Sequence, residues 1–497
     1  MNNGKICISI CAETAEDLIA QIKRAEDLAD VIEIRFDCLT KKEFDKLDYR
    51  FPYGENYIYT FRPKEQGGNR ELSLEEREEF WNSGTDFGGG DFEEDVVENH
   101  LYWLYSPVIC SYHDFKRIPE NLFEIYERIK FNGANVDIIK IAAQTKDISD
   151  AIPIWRLLVK ATNENQKIIP IAMGEAGKWT RILGLAHGAF MTYAALDSGK
   201  ETAPGQISAR DLIEVYRVKE LNEQTEIFGI LGSNTSYSMS PFMHNAAFKF
   251  HNLNAVFVPL QTHDLDEFMR RMVKPETREI ELNFKGFSVT IPHKQSIIKH
   301  LDFIDQTAKT IGAVNTVKII DGKLHGYNTD AHGFITPLKN TFGDLRNAKV
   351  AVFGAGGAAR ACVYALKREG AEITIFARDL AKARSLAEEF QITNYQLPIT
   401  NYQDFDIIVN ATPLGTKGEL ENESIARAEQ IENVNLVYDL VYNPFQTKLL
   451  TEADKANVPK IGGMAMLIAQ AMEQQKIWTN LDAPMREMSR EILKRLQ

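Results

Sequence analysis

Short apolar, β-branched runs alternate with amphipathic helical stretches through the first part of the chain, and this alternation constrains the fold more than any other feature. The runs with the composition of buried strands are KICISICA, VIEIRFDC, YIYTFRP, PVICSYHDF, VDIIKIAAQ, KIIPIAMGE and FMTYAAL. A further, weaker strand is expected near DFEEDVV, after the glycine-rich SGTDFGGGD. Repeated βα units of this length predict an α/β fold that begins with a closed parallel (β/α)8 TIM barrel.

Charged side chains stand where several of these predicted strands end. Arg35, Arg62, His113 and Lys140 all occupy such positions. One polar residue at a strand end is common, but the C-terminal ends of barrel strands meet at a single mouth, where barrel enzymes place their active sites. The pattern therefore predicts a functional site at that end of the barrel.

Lys140 lies in the middle of the apolar run VDIIKIAAQ, where burial of an ammonium group is costly. An apolar barrel interior disfavours the charged form of an amine, and a neutral amine forms Schiff bases with ketones. The alternatives are a lysine that extends from the strand end into solvent and a lysine that pairs with a carboxylate. His113, in SYHDF, would supply a base suited to proton transfer near neutral pH.

The first half of the chain resembles type I 3-dehydroquinate dehydratases over residues 4–214. The segments that carry the resemblance are EIRFD (33–37), TFRP (60–63), SYHDF (111–115), IIKIA (138–142), AMGEAGKWTRILG (172–184) and TAPGQIS (202–208). The resemblance implies that Lys140 forms an imine with the substrate ketone and that His113 transfers protons as acid and base. It also implies substrate contacts from Glu33, Arg35, Arg62, Arg181, Thr202 and Gln206.

One position departs from the family pattern in a way that affects the histidine. The family usually has a glutamate four residues after the arginine of TFR, but this chain has Gln66 there, with Glu65 one residue earlier. An amide can hold an imidazole by a hydrogen bond, but it cannot stabilise the imidazolium cation as a carboxylate does. The sequence therefore leaves open what supports His113.

The second half begins after the polar stretch at residues 222–226 and contains a nucleotide-binding pattern. The glycine-rich turn GAGGAAR follows the strand KVAVF and opens a helix, the context in which backbone groups approach a pyrophosphate. Arg378 ends the next strand and indicates NADP, whereas the adjacent Asp379 would repel a 2′-phosphate and leaves NAD open. The expected coenzyme contacts in the turn are Gly354, Ala355, Gly356, Gly357 and Ala358.

Polar groups suited to a small substrate precede this turn. Ser238 and Ser240, in SYSMSP, could bind a carboxylate, or they could be ordinary turn serines. Lys294 follows a predicted strand and Asp330 lies in GYNTDAHGF. A lysine and a carboxylate can share proton transfer to a carbonyl oxygen, although each alone would more commonly be a surface charge.

Residues 227–495 resemble shikimate dehydrogenases. The resemblance rests on these serines, Lys294 and Asp330, together with GAVNTV (312–317), NATPLG (410–415), YDLVYNP and GGMAMLIAQA (462–471). It implies that Lys294 and Asp330 are the catalytic pair, and that Arg378, Thr412 and Gly463 contact NADP. The substrate contacts that it implies are Ser238, Ser240, Thr290, Asn315, Tyr442 and Gln470.

Together the two resemblances predict a bifunctional enzyme that dehydrates 3-dehydroquinate to 3-dehydroshikimate and reduces the product to shikimate with NADPH. One alternative makes the second half a quinate/shikimate dehydrogenase that uses NAD, and another makes the chain a ligand-sensing regulator built from inactive copies. The predicted domains are a dehydratase barrel at 1–222, an α/β substrate-binding domain at 227–330 completed by helices at 464–497, and a Rossmann NADP domain at 331–463.

Composition limits the partners. A net charge of −13 argues against nucleic-acid binding, and no apolar run reaches the length of a membrane helix. The expected partners are small molecules only. Neither half calls for a metal, and the five cysteines contain no CxxC pair, so we expect reduced thiols and a cytoplasmic location.

Overall fold

The computed structural model describes residues 2–47, 54, 56–82, 89–100, 107–132, 136–399 and 401–496. By compactness the chain divides into two units, one formed by Met1–Gly229, Ser233–Tyr237 and Asn254–Phe284, the other by Ile230–Gly232, Ser238–Leu253 and Lys285–Gln497. This division does not test where independently folding domains begin, so the predicted domain boundaries stay a prediction. No helix in the described ranges is long and apolar enough to cross a membrane.

The first sheet is a curled parallel sheet, and it confirms the predicted barrel. Within the described residues its strand order is β7-β6-β5-β4-β3-β2-β1-β8-β9. The backbone N–H of Phe190 donates to the carbonyl of Ile168 at 2.8 Å, so the start of β8 lies against the start of β7 and the sheet closes on itself. The strands are β1 (Lys5–Ile10), β2 (Val31–Arg35), β3 (Tyr57–Thr60), β4 (Gly90–Glu93), β5 (Val108–Asp114), β6 (Ile138–Gln144), β7 (Ile168–Met173), β8 (Met191–Ala195) and β9 (Ile207–Ser208).

The weak fourth strand lies near DFEEDVV, as the sequence predicts, but it covers Gly90–Glu93 and the rest of that segment begins α4. Residues 83–88 of the preceding glycine-rich segment lie outside the described residues. Alternate residues of the strands fill the barrel interior, among them Ile138 and Ala142 of β6. Because side chains two residues apart share one face of a strand, Lys140 also faces this interior. A lysine in that position must be matched by polar groups inside the barrel.

Helices cover the outside of the barrel in the βα pattern that the sequence predicts. Thr14 caps the first of them by accepting from the backbone N–H of Asp17. The α-helices are α1 (Ala15–Ala25), α2 (Lys41–Phe44), α3 (Leu74–Asn82), α4 (Glu94–His100), α5 (Leu122–Asn132), α6 (Ile152–Asn163) and α7 (Lys178–Leu183). Short 3-10 segments lie at Phe36–Cys38, Lys64–Gln66, Ile148–Ala151, Glu175–Gly177 and Gly184–His187, with a π-helical turn at Asp211–Val215.

The second sheet is mixed and carries the residues that precede the glycine-rich turn. Its strand order in the described ranges is β11-β10-β12-β14-β15-β13, and β14 pairs antiparallel with both β12 and β15. The elements are β10 (Glu226–Gly232), α8 (Ser240–Phe250), β11 (Ala255–Gln261), α9 (Leu265–Phe268), a π-helical turn (Met269–Val273), β12 (Phe284–Val289), a 3-10 turn (Ser296–His300), β13 (Phe303–Ile304), α10 (Gln306–Ile311), β14 (Thr316–Ile320) and β15 (Lys323–Tyr327).

The third sheet is parallel throughout, as a Rossmann domain requires. Its order in the described ranges is β18-β17-β16-β19-β20-β21, with a buried apolar core against its helices. The elements are α11 (Asp330–Phe342), β16 (Lys349–Phe353), α12 (Gly357–Arg368), β17 (Glu372–Phe376), α13 (Leu380–Glu389), β18 (Asn394–Gln396), β19 (Ile407–Asn410), a 3-10 turn (Ala428–Gln430), β20 (Leu436–Asp439), α14 (Lys448–Lys455), β21 (Lys460–Ile461), α15 (Gly463–Thr479) and α16 (Met485–Leu496).

The cysteines correct one expectation. Cys11 and Cys38 form a disulfide, so the expectation that all five cysteines are reduced is wrong for this pair. Cys7, Cys110 and Cys362 are free and buried. The two bonded cysteines are 27 residues apart in sequence, but they follow the neighbouring strands β1 and β2, which bring their Cα atoms to 5.5 Å. A pairing that arises from strand adjacency cannot be read from sequence spacing.

Candidate active sites

Lys140 is matched by carboxylates inside the barrel. Its Nζ atom lies 2.7 Å from Oδ2 of Asp91 and 3.5 Å from Oε1 of Glu33, and 3.9 Å from the centre of the Tyr193 ring. The side chain is only 6% exposed. The expectation of an apolar environment for this lysine is therefore wrong, because β4 places an acidic side chain beside it that the sequence analysis did not identify as a site residue.

Asp91 and Glu93 of β4 are buried acidic residues that the sequence analysis missed. Asp91 also pairs with Nη2 of Arg62 at 2.7 Å. Burial alone would raise the pKa of Asp91, but the cations of Arg62 and Lys140 outweigh it and hold that pKa far below its usual range. Burial raises the pKa of Glu93 to about 7. The signal available in the sequence was the pair of acidic residues two positions apart in GGDFEED, because residues two apart in a strand point to the same face.

His113, at the end of β5, lies beside Arg62. Nη1 of Arg62 is 2.8 Å from Nδ1 of the imidazole. Because a guanidinium group only donates, this contact requires an unprotonated ring nitrogen as the acceptor. Burial, followed by the cations of Arg62 and Lys140, holds the pKa of His113 well below its usual value. The histidine is therefore neutral at physiological pH and can act as a base.

Gln66 supports the backbone of His113, not its ring. The Oε1 atom of Gln66 accepts from the backbone N–H of His113 at 3.2 Å. Glu65 is exposed on the same 3-10 turn. The amide therefore holds the end of β5 in place, and the charged group that contacts the imidazole is the cation of Arg62.

Arg181 is a buried cation with an incomplete set of partners. It is 2% exposed, and its guanidinium donates to the carbonyls of Tyr193 and Pro204, at 3.4 and 3.3 Å. Within the described residues its Nε atom has no hydrogen-bond partner and no carboxylate pairs with it. Burial lowers its pKa to about 10. An arginine in this state is suited to an anionic group from a ligand.

One cleft, of about 420 Å³ including its open mouth, brings the predicted residues of the first site together. Two of them are held by local contacts: Arg35 forms a bidentate pair with Asp37, at 2.8 and 2.7 Å, and Gln206 accepts from the backbone N–H of Thr202 at 2.7 Å. The predicted residues that line the cleft are Glu33, Arg35, Arg62, His113, Lys140, Arg181, Thr202 and Gln206.

In the second half, Lys294 and Asp330 form an ion pair, with 2.5 Å between Nζ and Oδ2. Asn315 donates from Nδ2 to the other carboxylate oxygen at 2.8 Å and lies 3.5 Å from Oε1 of Gln470. Four predicted residues are thus joined in one network. Gln474 was not predicted, but its Nε2 donates to the carbonyl of Asn315 at 3.2 Å and holds that residue in place.

The remaining predicted substrate residues stand apart from this network. Oγ of Ser238 accepts from the backbone N–H of Ser240 at 3.2 Å, where α8 begins. Thr290 follows β12, and burial raises the pKa of Tyr442. In the part of the chain that the structure describes, none of these side chains is hydrogen-bonded to Lys294 or its partners. Their roles stay a prediction.

The glycine-rich turn has the backbone geometry that a dinucleotide site needs. Gly354 has φ of +116°, and a Cβ there would lie 2.8 Å from the carbonyl oxygen of Ala411. Gly356 is the N-cap of α12, and a Cβ there would meet nothing within 4 Å, so space remains at the helix N-terminus. A Cβ on Gly357 would lie 3.3 Å from Cδ of Lys294, so the turn adjoins the Lys294–Asp330 ion pair.

Arg378 and Asp379 lie just after β17 and have different surroundings. Arg378 is exposed, as a residue that receives a 2′-phosphate must be. Asp379 is the N-cap of α13, and its carboxylate accepts from the backbone N–H of Lys382 at 3.1 Å. The carboxylate of Asp379, which in the sequence left NAD possible as the coenzyme, is therefore engaged in capping a helix.

The other two predicted coenzyme residues, Thr412 and Gly463, follow strands β19 and β21 of the third sheet. Oγ1 of Thr412 donates to Oδ1 of Asn410 at 2.6 Å, and Nδ2 of Asn410 donates to the buried carboxylate of Asp439 at 2.9 Å. Burial raises the pKa of Asp439 to about 6. A Cβ on Gly463 would lie 2.3 Å from the carbonyl oxygen of Leu440, so only glycine fits there.

Comparison with known proteins shows which families the two halves of the chain match. Residues 6–223 match the family model of type I 3-dehydroquinase, residues 230–317 that of the shikimate dehydrogenase substrate binding domain, and residues 337–444 that of shikimate / quinate 5-dehydrogenase. A chloroplastic bifunctional 3-dehydroquinate dehydratase/shikimate dehydrogenase from Arabidopsis thaliana is 34% identical, over 97% of this chain and 83% of that protein. The chain belongs to the bifunctional 3-dehydroquinate dehydratase/shikimate dehydrogenase family.

The dehydrogenase half of this bifunctional family member also resembles separate enzymes. A shikimate dehydrogenase (NADP(+)) from Methanocaldococcus jannaschii is 38% identical, over 56% of this chain and 99% of that protein. A crystal structure of shikimate dehydrogenase in complex with NADP+ superposes with a TM-score of 0.51 at 38% identity, covering 56% of this chain and 98% of that chain.

Proposed function

We propose that this chain dehydrates 3-dehydroquinate to 3-dehydroshikimate in the barrel and reduces 3-dehydroshikimate to shikimate in its second half, with NADPH as reductant. The observation that carries the first activity is a cleft in which Lys140 and His113 lie with a buried arginine, Arg181, that has no anionic partner among the residues that the structure describes. The substrate is a ketone that bears a carboxylate, which matches an amine nucleophile, a base and an unpaired cation.

In the proposed dehydration, Lys140 first gives a proton to the neutral ring of His113, which lines the same cleft. The neutral amine then attacks the ketone carbon, and the proton returns as water leaves, giving a protonated imine. The ammonium group and the protonated imine carry the same charge. Asp91, 2.7 Å from Nζ, can therefore pair with the cation both before the attack and after the imine has formed. The positive imine withdraws electrons from the neighbouring carbon and makes its proton acidic.

His113 removes that proton, because its lowered pKa leaves it neutral and able to accept. The imidazolium then protonates the departing hydroxyl group, so that water leaves and a carbon–carbon double bond forms. Hydrolysis of the imine releases 3-dehydroshikimate and restores Lys140. The net change is the loss of one water molecule from the substrate. The nearby cation of Arg62 favours return of the proton, because it destabilises the imidazolium.

Borohydride trapping tests the first mechanism. Reduction of the imine in the presence of 3-dehydroquinate should leave a stable mass adduct on the peptide that contains Lys140, and Lys140→Ala should abolish it. The matched control is Lys146→Ala, which removes an exposed lysine near the end of the same strand and should leave the adduct in place. An active enzyme without an adduct at Lys140 would rule out the imine.

In the second half, the residues that would hold the coenzyme are the glycine-rich turn at 354–357, Arg378, Thr412 and Gly463. The bound coenzyme supplies a hydride to the substrate carbonyl carbon. Lys294 holds a proton at Nζ for the carbonyl oxygen, and Asp330, at 2.5 Å, keeps the ammonium group in position. Asn315 and Gln470 present amide groups beside the same carboxylate and are suited to substrate hydroxyl groups.

Steady-state rates test the coenzyme and the substrate of the second half. The exposed Arg378 and the helix-capping Asp379 favour NADPH over NADH, and we expect shikimate to be a better substrate than quinate in the reverse direction. A higher kcat/KM with NAD and quinate would instead support the alternative quinate dehydrogenase.

We also propose a cytoplasmic location and small molecules as the only ligands, on the basis of the net charge of −13 and the absence of a membrane-spanning helix among the described residues. Binding to labelled DNA or to anionic vesicles at low salt, or recovery in a membrane fraction, would contradict this proposal.

A further inference from the structure

The Cys11–Cys38 disulfide lies at the end of the barrel where the proposed dehydratase site opens. Cys11 follows the last residue of β1, and Cys38 ends the short turn after β2. Both cysteines are partly exposed, whereas the three free cysteines are buried. The only thiol pair in the described chain that a reductant can reach therefore stands beside the site.

Each sulfur atom touches a group that positions the site. Sγ of Cys38 lies 3.9 Å from Oδ2 of Asp37, the same oxygen that accepts from Nη2 of Arg35 at 2.7 Å and from the backbone N–H of Asn69 at 3.0 Å. Sγ of Cys11 accepts from Nδ2 of Asn69 at 3.4 Å. The disulfide thus holds Asn69 from one side, and Asp37 holds it from the other.

Asn69 belongs to a compact loop, residues 62–70, that reaches into the cleft. The backbone N–H of Lys64 donates to the carbonyl of Arg70 at 2.8 Å, which closes the loop. Gln66, on this loop, accepts from the backbone N–H of His113, and the carbonyl of Gly67 accepts from Arg35 at 3.0 Å. A continuous set of contacts therefore runs from the disulfide through the loop to the proposed acid–base residue.

Reduction changes the chemistry of these contacts. A disulfide sulfur cannot donate a hydrogen bond, whereas a Cys38 thiol can donate to the carboxylate of Asp37 and compete with Arg35 and Asn69 for it. Breaking the bond also removes the covalent link between the ends of β1 and β2. Both changes loosen the 62–70 loop, and catalysis is sensitive to small displacements of positioned groups.

We propose that Cys11 and Cys38 form a reversible redox modification site, reduced by dithiols, that controls the dehydratase activity without affecting the dehydrogenase activity. The reduction is balanced: a dithiol transfers two electrons and two protons to the disulfide, giving two cysteine thiols and an oxidised dithiol. Disulfides in cytosolic proteins are usually transient and redox-sensing, which agrees with this role in a cytoplasmic enzyme. The proposal rests on the proposed dehydratase function.

The test uses the full chain and both of its activities. Samples are equilibrated with graded ratios of reduced to oxidised dithiothreitol, alkylated, and analysed by mass spectrometry for the Cys11–Cys38 bond. Dehydration is followed by the ultraviolet absorbance of the conjugated product, and reduction of 3-dehydroshikimate by the loss of NADPH. We expect the dehydratase kcat/KM to fall by roughly 3- to 10-fold as the bond is reduced, with the dehydrogenase kcat/KM unchanged.

Two variants and one further measurement complete the design. Cys11→Ser should hold the dehydratase at the reduced-state level in every buffer, while Cys362→Ala, which removes a buried cysteine on α12, should keep the wild-type response. Hydrogen exchange of residues 62–70 should be faster in the reduced protein, and this measurement needs no substrate. A barrel without dehydratase activity in any buffer refutes the proposed function instead of the redox site.

The redox site itself is refuted by either of two results. In the first, the bond passes from formed to reduced while the dehydratase kcat/KM and the exchange of the loop both stay constant. In the second, all five cysteines remain alkylatable even in excess oxidised dithiothreitol, so that the bond never forms.

Discussion

The replacement of the family glutamate by Gln66 allows the electrostatics of the dehydratase site to be tested by a single substitution. The pKa of His113 is held low by burial and by the cations of Arg62 and Lys140, and the amide of Gln66 does not offset them. Gln66→Glu introduces a carboxylate at the position whose oxygen now lies 3.2 Å from the His113 backbone nitrogen. An added anion stabilises the imidazolium, so the pKa of His113 should rise.

A carboxylate within a few ångströms shifts a neighbouring pKa by about 1 to 3 units, which corresponds to about 1.4 to 4 kcal/mol. The neutral imidazole is the proposed base, so activity is lost as pH falls through its pKa. The acidic limb of the dehydratase kcat/KM profile should therefore move to higher pH by about 1 to 3 units in Gln66→Glu. The dehydrogenase profile of the same protein should not move.

Dehydratase rates across a pH series, with substrate well below KM, measure this shift. Glu65→Gln is the matched control, because it changes the neighbouring exposed side chain by the opposite substitution and should leave the limb in place. An unchanged limb in Gln66→Glu, with folding verified by circular dichroism, would refute the assignment of His113 as the base whose ionisation limits the reaction.

Three further predictions concern single side chains. Arg181→Gln should lower the dehydratase kcat/KM by about 10²- to 10³-fold, mainly by raising KM, because a buried charge-assisted contact to the substrate carboxylate is lost. An unchanged KM in steady-state kinetics would contradict this prediction. Asp379→Ala should reduce the stability of the protein by about 1 kcal/mol, because the α13 cap is lost, and should keep the preference for NADPH. Arg378→Ala should lose that preference. Melting curves measure the change in stability, and kinetics with NADPH and NADH measure the coenzyme preference. Burial raises the pKa of Asp439 to about 6, so the folded state binds this proton more tightly than the unfolded state, and stability falls as pH rises from about 4 to 6. Asp439→Asn should flatten this part of the curve of melting temperature against pH. An unchanged slope would show that other groups cause the loss of stability.

Features that depend on local pattern were predictable from the sequence. The alternation of strands and helices indicates the barrel because side-chain periodicity is a property of each segment alone. Arg35, Arg62 and His113, at or near the ends of their strands, then converge because parallel strands present their C-terminal ends at one edge. Lys140 joins them in the cleft as an interior-facing residue of β6. The same reasoning locates the glycine-rich turn at the start of α12.

Features that depend on which strands become neighbours were not predictable. Asp91 meets Lys140 because β4 and β6 lie on either side of β5, and Cys11 meets Cys38 because β1 pairs with β2. Asp379 is a similar case, since its effect on coenzyme choice depends on whether its carboxylate points to the ligand or caps a helix. Such contacts require the assembled sheet and the orientation of each side chain, neither of which the residue order specifies.

In the proposed function, one chain catalyses two consecutive reactions at two separate lysines, Lys140 and Lys294. The most direct measurement supplies 3-dehydroquinate and NADPH to the full chain and follows both shikimate and NADPH. The wild-type protein should form shikimate; Lys140→Ala should oxidise NADPH only when 3-dehydroshikimate is supplied instead; and Lys294→Ala should accumulate 3-dehydroshikimate. Undiminished formation of shikimate from 3-dehydroquinate by Lys140→Ala would show that the dehydration does not proceed through Lys140.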